Sequence, residues 1–325
     1  MKNNQKTIAV DNKRQAFNPS RKCNYLIKQM KNSWQLYILF ILPLLWVVVF
    51  KYIPILGVQI AFREYNITDG IYNSPFVGLK YFEKFLVNPK FWTVLTNTFR
   101  ISIYSLIVTF PMNILLALSF NCVLNKRFQK FAQMVTYLPH FISVVVLIGI
   151  VNQMFSYQTG VINNILASIL GHRVDFLGNP DYFSTFYVWS GVWQNTGWNS
   201  IIFIAALAGI DPNLHEAATI DGANRIKRVF YVDIPGILPT AMIMLIMNFG
   251  HIMTTGFEKI ILMQNPLNLE VSEVIDSYVY KMGLASQIPN YSYSTAVGLM
   301  QSVVTLVLLI IVNKVSKVIT ETSLW

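Results

Sequence analysis

Glu216-Ala-Ala-Thr-Ile-Asp-Gly222-Ala-Asn-Arg-Ile-Lys-Arg-Val-Phe-Tyr-Val232-Asp-Ile234-Pro235 is a polar, charged stretch between two long apolar runs. A membrane chain has little reason to keep such an ordered segment unless something docks on it. Glu216 to Ala223 reads as a helix start, because acidic residues suit the positive end of a helix dipole. Gly222 leaves room for another surface to approach. Arg225, Lys227 and Arg228 then return the chain to a basic membrane face. Pro235 opens the next apolar run, where a missing amide N–H costs nothing.

The flanking runs set the class. The chain has 325 residues, 54% of them hydrophobic and 12% charged, whereas a soluble domain carries about 25% charged residues. Six runs are long enough to span a bilayer, which takes about 20 mostly apolar residues. They cover roughly 34–55, 100–123, 131–155, 184–209, 236–256 and 292–313. The predicted fold is therefore all-α, a polytopic membrane protein with six transmembrane helices. The first run follows a basic tail, residues 1–33, without a small-residue cleavage site, so it reads as a retained anchor. The tail is polar and reads as disordered to about residue 20. The domain organisation is a tail, 1–33, followed by a transmembrane domain, 34–325, with a loop over 210–235.

Charge orients the spans. The net charge is +10, and the basic residues gather at the ends of apolar runs rather than in a nucleic-acid-binding stripe. With the N-terminus inside, segments 1–33, 124–130, 210–235 and 314–325 hold 16 Lys and Arg, against 7 in 56–99, 156–183 and 257–291. The positive-inside rule then places both termini and the Glu216 loop in the cytoplasm of a multi-pass cell-membrane protein. Cys23 and Cys122 fall on that side or at its membrane edge, so no disulfide is expected. In the first outer segment, Phe76 to Phe85 followed by Phe91-Trp92 reads either as an amphipathic helix anchored at the interface by aromatics or as a packed loop.

Several chemistries are missing. The chain has no phosphate-binding Gly-rich loop with Lys and Ser/Thr, so it has no such site for ATP. Its four histidines, His140, His172, His215 and His251, are scattered, and no metal or catalytic cluster forms around them. Spans two, three, four and six have no carboxylate or Lys in their middles, which argues against a proton- or sodium-coupled carrier.

Two polar stripes stand out within the spans. Gly191, Gln194, Asn195, Trp198 and Asn199 recur on one face of span four. Asn248, His251 and Thr255 do so on span five. Amides without partners in hydrocarbon cost several kcal/mol each. These faces either line a pathway for a hydroxyl-rich solute, with Trp198 stacking on a sugar's C–H face, or bond neighbouring helices together. Pro139, just before His140, kinks span three. Glu258 and Lys259, past span five, read as a solvated surface pair, with an outer gate contact as the other reading.

The Glu216 loop resembles the signature of binding-protein-dependent ABC importer permeases: Glu-Ala-Ala, three residues, Gly, nine residues, then Ile-x-Leu-Pro. Val232 for Ile and Ile234 for Leu are the departures; Asp221 and Ala223 fit its longer form. Tyr137-Leu-Pro-His-Phe-Ile-Ser143, Ala206-Leu-Ala-Gly-Ile-Asp-Pro212 and Gly256-Phe-Glu-Lys259 are similar to the carbohydrate branch, and within it to polysaccharide-type permeases. The resemblance covers about residues 34–320 and implies a MetI-like permease fold. It implies a coupling helix that contacts an ATPase subunit through Glu216, Ala217, Ala218, Asp221, Gly222, Ala223, Arg225 and Pro235. It places the solute pathway at Asn195, Trp198, Asn248, His251 and Thr255, among residues already singled out by their spacing.

The implied partners are a second, different permease, two ATPase subunits, an extracellular solute-binding protein, an oligosaccharide and the bilayer, with no nucleic acid. The chain itself is then no enzyme and binds no cofactor; ATP and Mg belong to the ATPases. The competing readings are an importer for a non-sugar solute and, from another class, a stand-alone secondary carrier. The spans lack an Arg or Lys for an anionic solute, which counts against acidic sugars as well unless the partner subunit handles the charge.

Overall fold

The computed structural model describes residues 33–320. The tail and Cys23 lie outside the described residues; Cys122 is a free thiol. The chain divides into two compact units, Met1–Gly57 and Val58–Trp325. In the first, helix α1 (Trp34–Val47) runs on through a π turn, Val48–Tyr52. None of its residues is buried.

Among its described residues the second unit is built of helices, with one isolated antiparallel bridge between Arg63 and Phe76. Its elements are α2 (Lys80–Leu86), α3 (Lys90–Cys122), α4 (Lys126–Tyr137), α5 (Val144–Phe155), α6 (Val161–Leu170) and α7 (Pro180–Ala208). They continue with α8 (Pro212–Ile220), α9 (Arg225–Gly250), α10 (Phe257–Met263), α11 (Ile275–Tyr280) and α12 (Tyr291–Thr320). Among the described residues of the chain, four helices, counting Trp34–Phe62, are long and apolar enough to cross a membrane, and two bent pairs raise the number to as many as six. A helix meets all its backbone hydrogen bonds internally, as hydrocarbon demands.

Local sequence accounts for the boundaries. The α7 start has Asn179 as its cap, accepting from the Asp181 amide at 2.9 Å, with Pro180 in the first turn. Both features favour a helix N-terminus. At α4 the Asn125 side chain accepts from the Arg127 and Phe128 amides. Span three is more than kinked. Leu138–Phe141 is a 3₁₀ turn, and α4 and α5 meet there at 98°. Pro139 removes one donor, and Ser143 restarts the helix by capping the Val146 amide.

The spans shift from their predicted limits. Helix α3 begins ten residues before the predicted span, at Lys90, because the amphipathic stretch 90–99 packs inward through Phe91, Val94 and Asn97. Helix α9 begins at Arg225, so Pro235 lies inside a continuous helix rather than at its start. The π turn Val229–Asp233 directly before it takes up the altered hydrogen-bond register. The same helix ends at Gly250, six residues short of the predicted end.

Three apolar clusters hold the second unit together, and α3 contributes to each. Phe91 and Val94 join Tyr81, Phe85, Ile275, Tyr278 and Tyr293 in the first. Ile101 joins Leu147, Ile148, Phe183 and Ile260 in the second. Ala117 and Leu118 join Phe203, Leu207, Ile237 and Ala241 in the third. The first cluster settles the segment 76–92. A short helix does form, but Tyr81, Phe85 and Phe91 are core residues, while Phe76 and Trp92 are exposed. Burying three rings in one cluster gains more than leaving them at an interface.

Candidate functional site

Two regions of α9 carry the singled-out residues. At its beginning, α8 and the turn after it are exposed. The Glu216 motif is not a helix start, as its acidity suggested. Asp211 caps α8, accepting from the Asn213 amide at 3.0 Å, and Pro212 follows. Glu216, Ala217 and Ala218 therefore sit in mid-helix, and Asp221 stands at its C-terminal cap.

Gly222 has φ +77°, in the left-handed region. Its amide bonds to the Thr219 carbonyl at 3.1 Å, and the Ala223 amide reaches back to Ala218 at 2.9 Å. That pairing is a Schellman cap, which an L side chain at 222 would strain. The space around Gly222 is open, so both its room and its backbone matter. Beyond it, Asn224 caps the α9 start by accepting from Lys227.

This turn is clamped to the helices behind it. His215 Nε2 lies 3.4 Å from Asp233 Oδ1, and Asp233 is only 3% exposed. Asn121 of α3 donates to the same oxygen at 3.4 Å. Arg225 donates to the Cys122 carbonyl, and Arg228 to the Thr219 hydroxyl. Gly236 lies so close to Ile210 that a Cβ there would come within 2.6 Å of its side chain. Pro235, by contrast, is exposed.

The other end of α9 lies beside two cavities whose walls carry polar side chains. One, of about 190 Å³, is lined by Ser102, Ser105 and Thr109 of α3, Tyr187 of α7, and Asn248, His251, Thr254 and Thr255. The other, of about 460 Å³, takes Gly191, Gln194, Asn195 and Asn199 from α7, and Glu258 and Lys259 from α10. Ser105, Thr109 and Tyr187 belong to both walls. The two stripes thus converge, with one change of geometry. Because α9 stops at Gly250, His251 is its cap and Thr255 lies in the irregular link to α10 rather than on a shared helical face. Gly256, with φ +57°, turns the chain into α10.

Individual residues divide between lining and bracing. Gln194 is buried and donates to the Ile142 carbonyl at 2.8 Å, bracing the break in span three. Asn195 Oδ1 accepts from His140 Nδ1 at 2.9 Å. The His140 ring stacks on Trp198 with centroids 4.7 Å apart and planes 4° apart. Trp198 is absent from both cavity walls, so one of its faces serves a protein ring instead of a solute. Asn248 donates to the Met244 carbonyl of its own helix at 2.8 Å.

The sequence reading missed part of this site. Ser102, Ser105 and Thr109 recur at intervals of three and four, a helical stripe available to the same period analysis. Tyr187 left no such signal. Lys259 overturns the solvated reading: it is 9% exposed, whereas Glu258 beside it is exposed. Its Nζ donates to the Tyr187 carbonyl at 2.7 Å and lies 4.6 Å from the centre of the Tyr187 ring. Burial lowers its pKa to about 8.

The model of the binding-protein-dependent transport system inner membrane components matches residues 109–320. The chain belongs to that family. This permease is 39% identical to protein LplB of Bacillus subtilis (strain 168) over 287 residues, 88% of this chain and 89% of the relative. It is 35% identical to the polygalacturonan/rhamnogalacturonan transport system permease protein YteP of the same organism, over 95% of each chain. Its fold matches, with a TM-score of 0.83 and 38% identity, a chain of a bacterial ABC transporter involved in the import of the acidic polysaccharide alginate. That match covers 91% of the permease and 99% of the other chain. The permease is a multi-pass membrane protein, and the segment matched by the family contains both the Glu216 turn and the polar residues of α7 and α9.

Proposed function

We propose that this permease is one of two different membrane subunits of an ATP-driven importer for oligosaccharides released from a polysaccharide. An extracellular binding protein delivers the solute, which passes along the cavities at the far end of α9. Two ATPase subunits bind ATP and Mg and dock on the α8 turn from the cytoplasm, where both termini lie. Glu216, Ala217, Ala218, Asp221, Gly222 and Ala223 form the docking face. Exposed Leu214 and Ile220, the latter 87% exposed, offer the apolar contact that a partner cleft would cover.

The observation that carries this reading is that α9 joins the two regions. Its first turns are tied to α8 through His215 and Asp233, and its last residues supply a cavity wall. Closure of the ATPases would move α8, and α9 with it, alternately exposing the cavity to either side. The wall chemistry suits a hydroxyl-rich solute: amides, serine and threonine hydroxyls and a tyrosine ring face the space. The test is reconstitution of the complete transporter in liposomes, with ATP hydrolysis and uptake followed across a panel of oligosaccharides. Sugar-stimulated hydrolysis coupled to uptake is expected. Uptake by this chain with no ATPase present, or uptake of amino acids in place of sugars, would overturn the reading.

A further inference from the structure

Lys259 is a buried cation with no counter-charge. None of the ion pairs among the described residues includes it, although the other buried charges at comparable depth are matched. Glu273 is held by Lys90 at 2.8 Å and Lys281 at 3.3 Å. Asp233 faces His215 and Asn121. Lys259 has a carbonyl and the face of a ring, which satisfy part of an ammonium's demand but do not neutralise it. Burying an unpaired charge is costly, so the position demands a reason.

Its location supplies one. A Cβ added at Gly191 would stand 3.2 Å from Nζ, so the glycine clears the space in which the ammonium sits. Both residues line the larger cavity, with Asn195 and Asn199 further along the same wall. In the adjoining cavity the hydroxyls of Ser102 and Thr255 are buried without any hydrogen-bond partner. One unpaired cation beside unpaired hydroxyls and wall amides matches a ligand that carries one negative group among many hydroxyls. Glu258 is exposed on the same wall.

We infer that Lys259 is the specificity residue for a uronic-acid unit, its ammonium pairing with the sugar carboxylate while the solute occupies the cavity between α3, α7 and α10. This rests on the oligosaccharide reading above and narrows it to acidic saccharides. The missing cation that had counted against them is present, supplied by the short helix α10 rather than by a span.

The test uses the complete transporter in liposomes, with the binding protein loaded with trigalacturonate or with its neutral methyl ester. Lys259→Met is expected to lower trigalacturonate uptake about tenfold or more relative to wild type, as for loss of a charge-assisted bond. It should lower ester uptake far less than acid uptake, and Lys259→Arg should retain most of the preference. Equal losses for acid and ester would make Lys259 a packing residue and overturn the inference, as would unchanged uptake of both. If Lys259→Met fails to assemble, equilibrium dialysis of both labelled trisaccharides against the wild-type permease–ATPase complex without binding protein decides. Tighter binding of the acid is expected, and equal binding overturns the inference. A wild-type transporter that moves no saccharide removes the oligosaccharide reading, and this inference with it.

Discussion

At the start of α9, Arg225, Lys227 and Arg228 stand in or near solvent, and the only buried charge, Asp233, is paired. Beyond its far end, Lys259 is buried and unpaired. One end resembles a surface made to be gripped by another protein, where exposed charge costs little. The other resembles a chamber wall that holds charge in readiness for a solute, where burial makes each charge matter more. A helix joining two such ends can transmit motion only if each end is rigidly tied to it. At the loop end the tie is the His215–Asp233–Asn121 group. At the cavity end it is the bond from the Thr255 amide to Asp276, with Gln301 donating to the same carboxylate at 2.7 Å.

Breaking the first tie should have the largest effect. Asp233→Ala leaves His215 and Asn121 without their shared acceptor and should cost about 2 kcal/mol locally. Hydrolysis by the ATPases should then continue without stimulation by loaded binding protein, measured in the reconstituted complex; full coupling would show that α8 moves α9 by another route. Next comes Gly222→Ala, which forces a side chain into the left-handed region at roughly 1 kcal/mol and loosens the Schellman cap. Co-purification of the ATPase should weaken, and Gly222→Asn should recover part of it, because Asn tolerates that conformation.

The smallest effects sharpen the contrast at the cavity end. Asn195→Leu removes a cavity amide and the His140 bond together, whereas Trp198→Ala removes only the ring stacked on His140, worth about 1 kcal/mol. Uptake should therefore fall more for Asn195→Leu, while Trp198→Ala should chiefly lower thermal stability in detergent. The reverse ranking would return Trp198 to the solute path.

The two ends also differ in how far they could be read in advance. The Glu216–Pro235 motif is contiguous, largely exposed and punctuated by residues with strong local preferences, so its place between spans and the family it marks were legible. Its internal geometry was not: the acidic residues suggested a helix start, yet Asp211 and Pro212 provide a better one five residues earlier. The stripe on α7 survived because that helix stays regular over its whole length. The stripe on α9 was only half right, since the helix ends at Gly250 and tertiary contacts bring Thr255 to the wall.

What the sequence determined by itself follows from local physics. Apolar runs of sufficient length must become helices in hydrocarbon, and basic residues mark their ends. A nine-residue interval between Gly222 and Val232 identifies the loop. What only the tertiary structure decided concerns residues whose meaning depends on neighbours far along the chain. The 98° break in span three, the core role of Tyr81 and Phe85, and the stacking of Trp198 on His140 are of this kind. Lys259 is the sharpest case. Its solvent exposure is set by α7, some 70 residues earlier, whose Tyr187 covers it and whose Gly191 makes room for it. Burial is a property of the packed surface around a charge, and no local pattern records it.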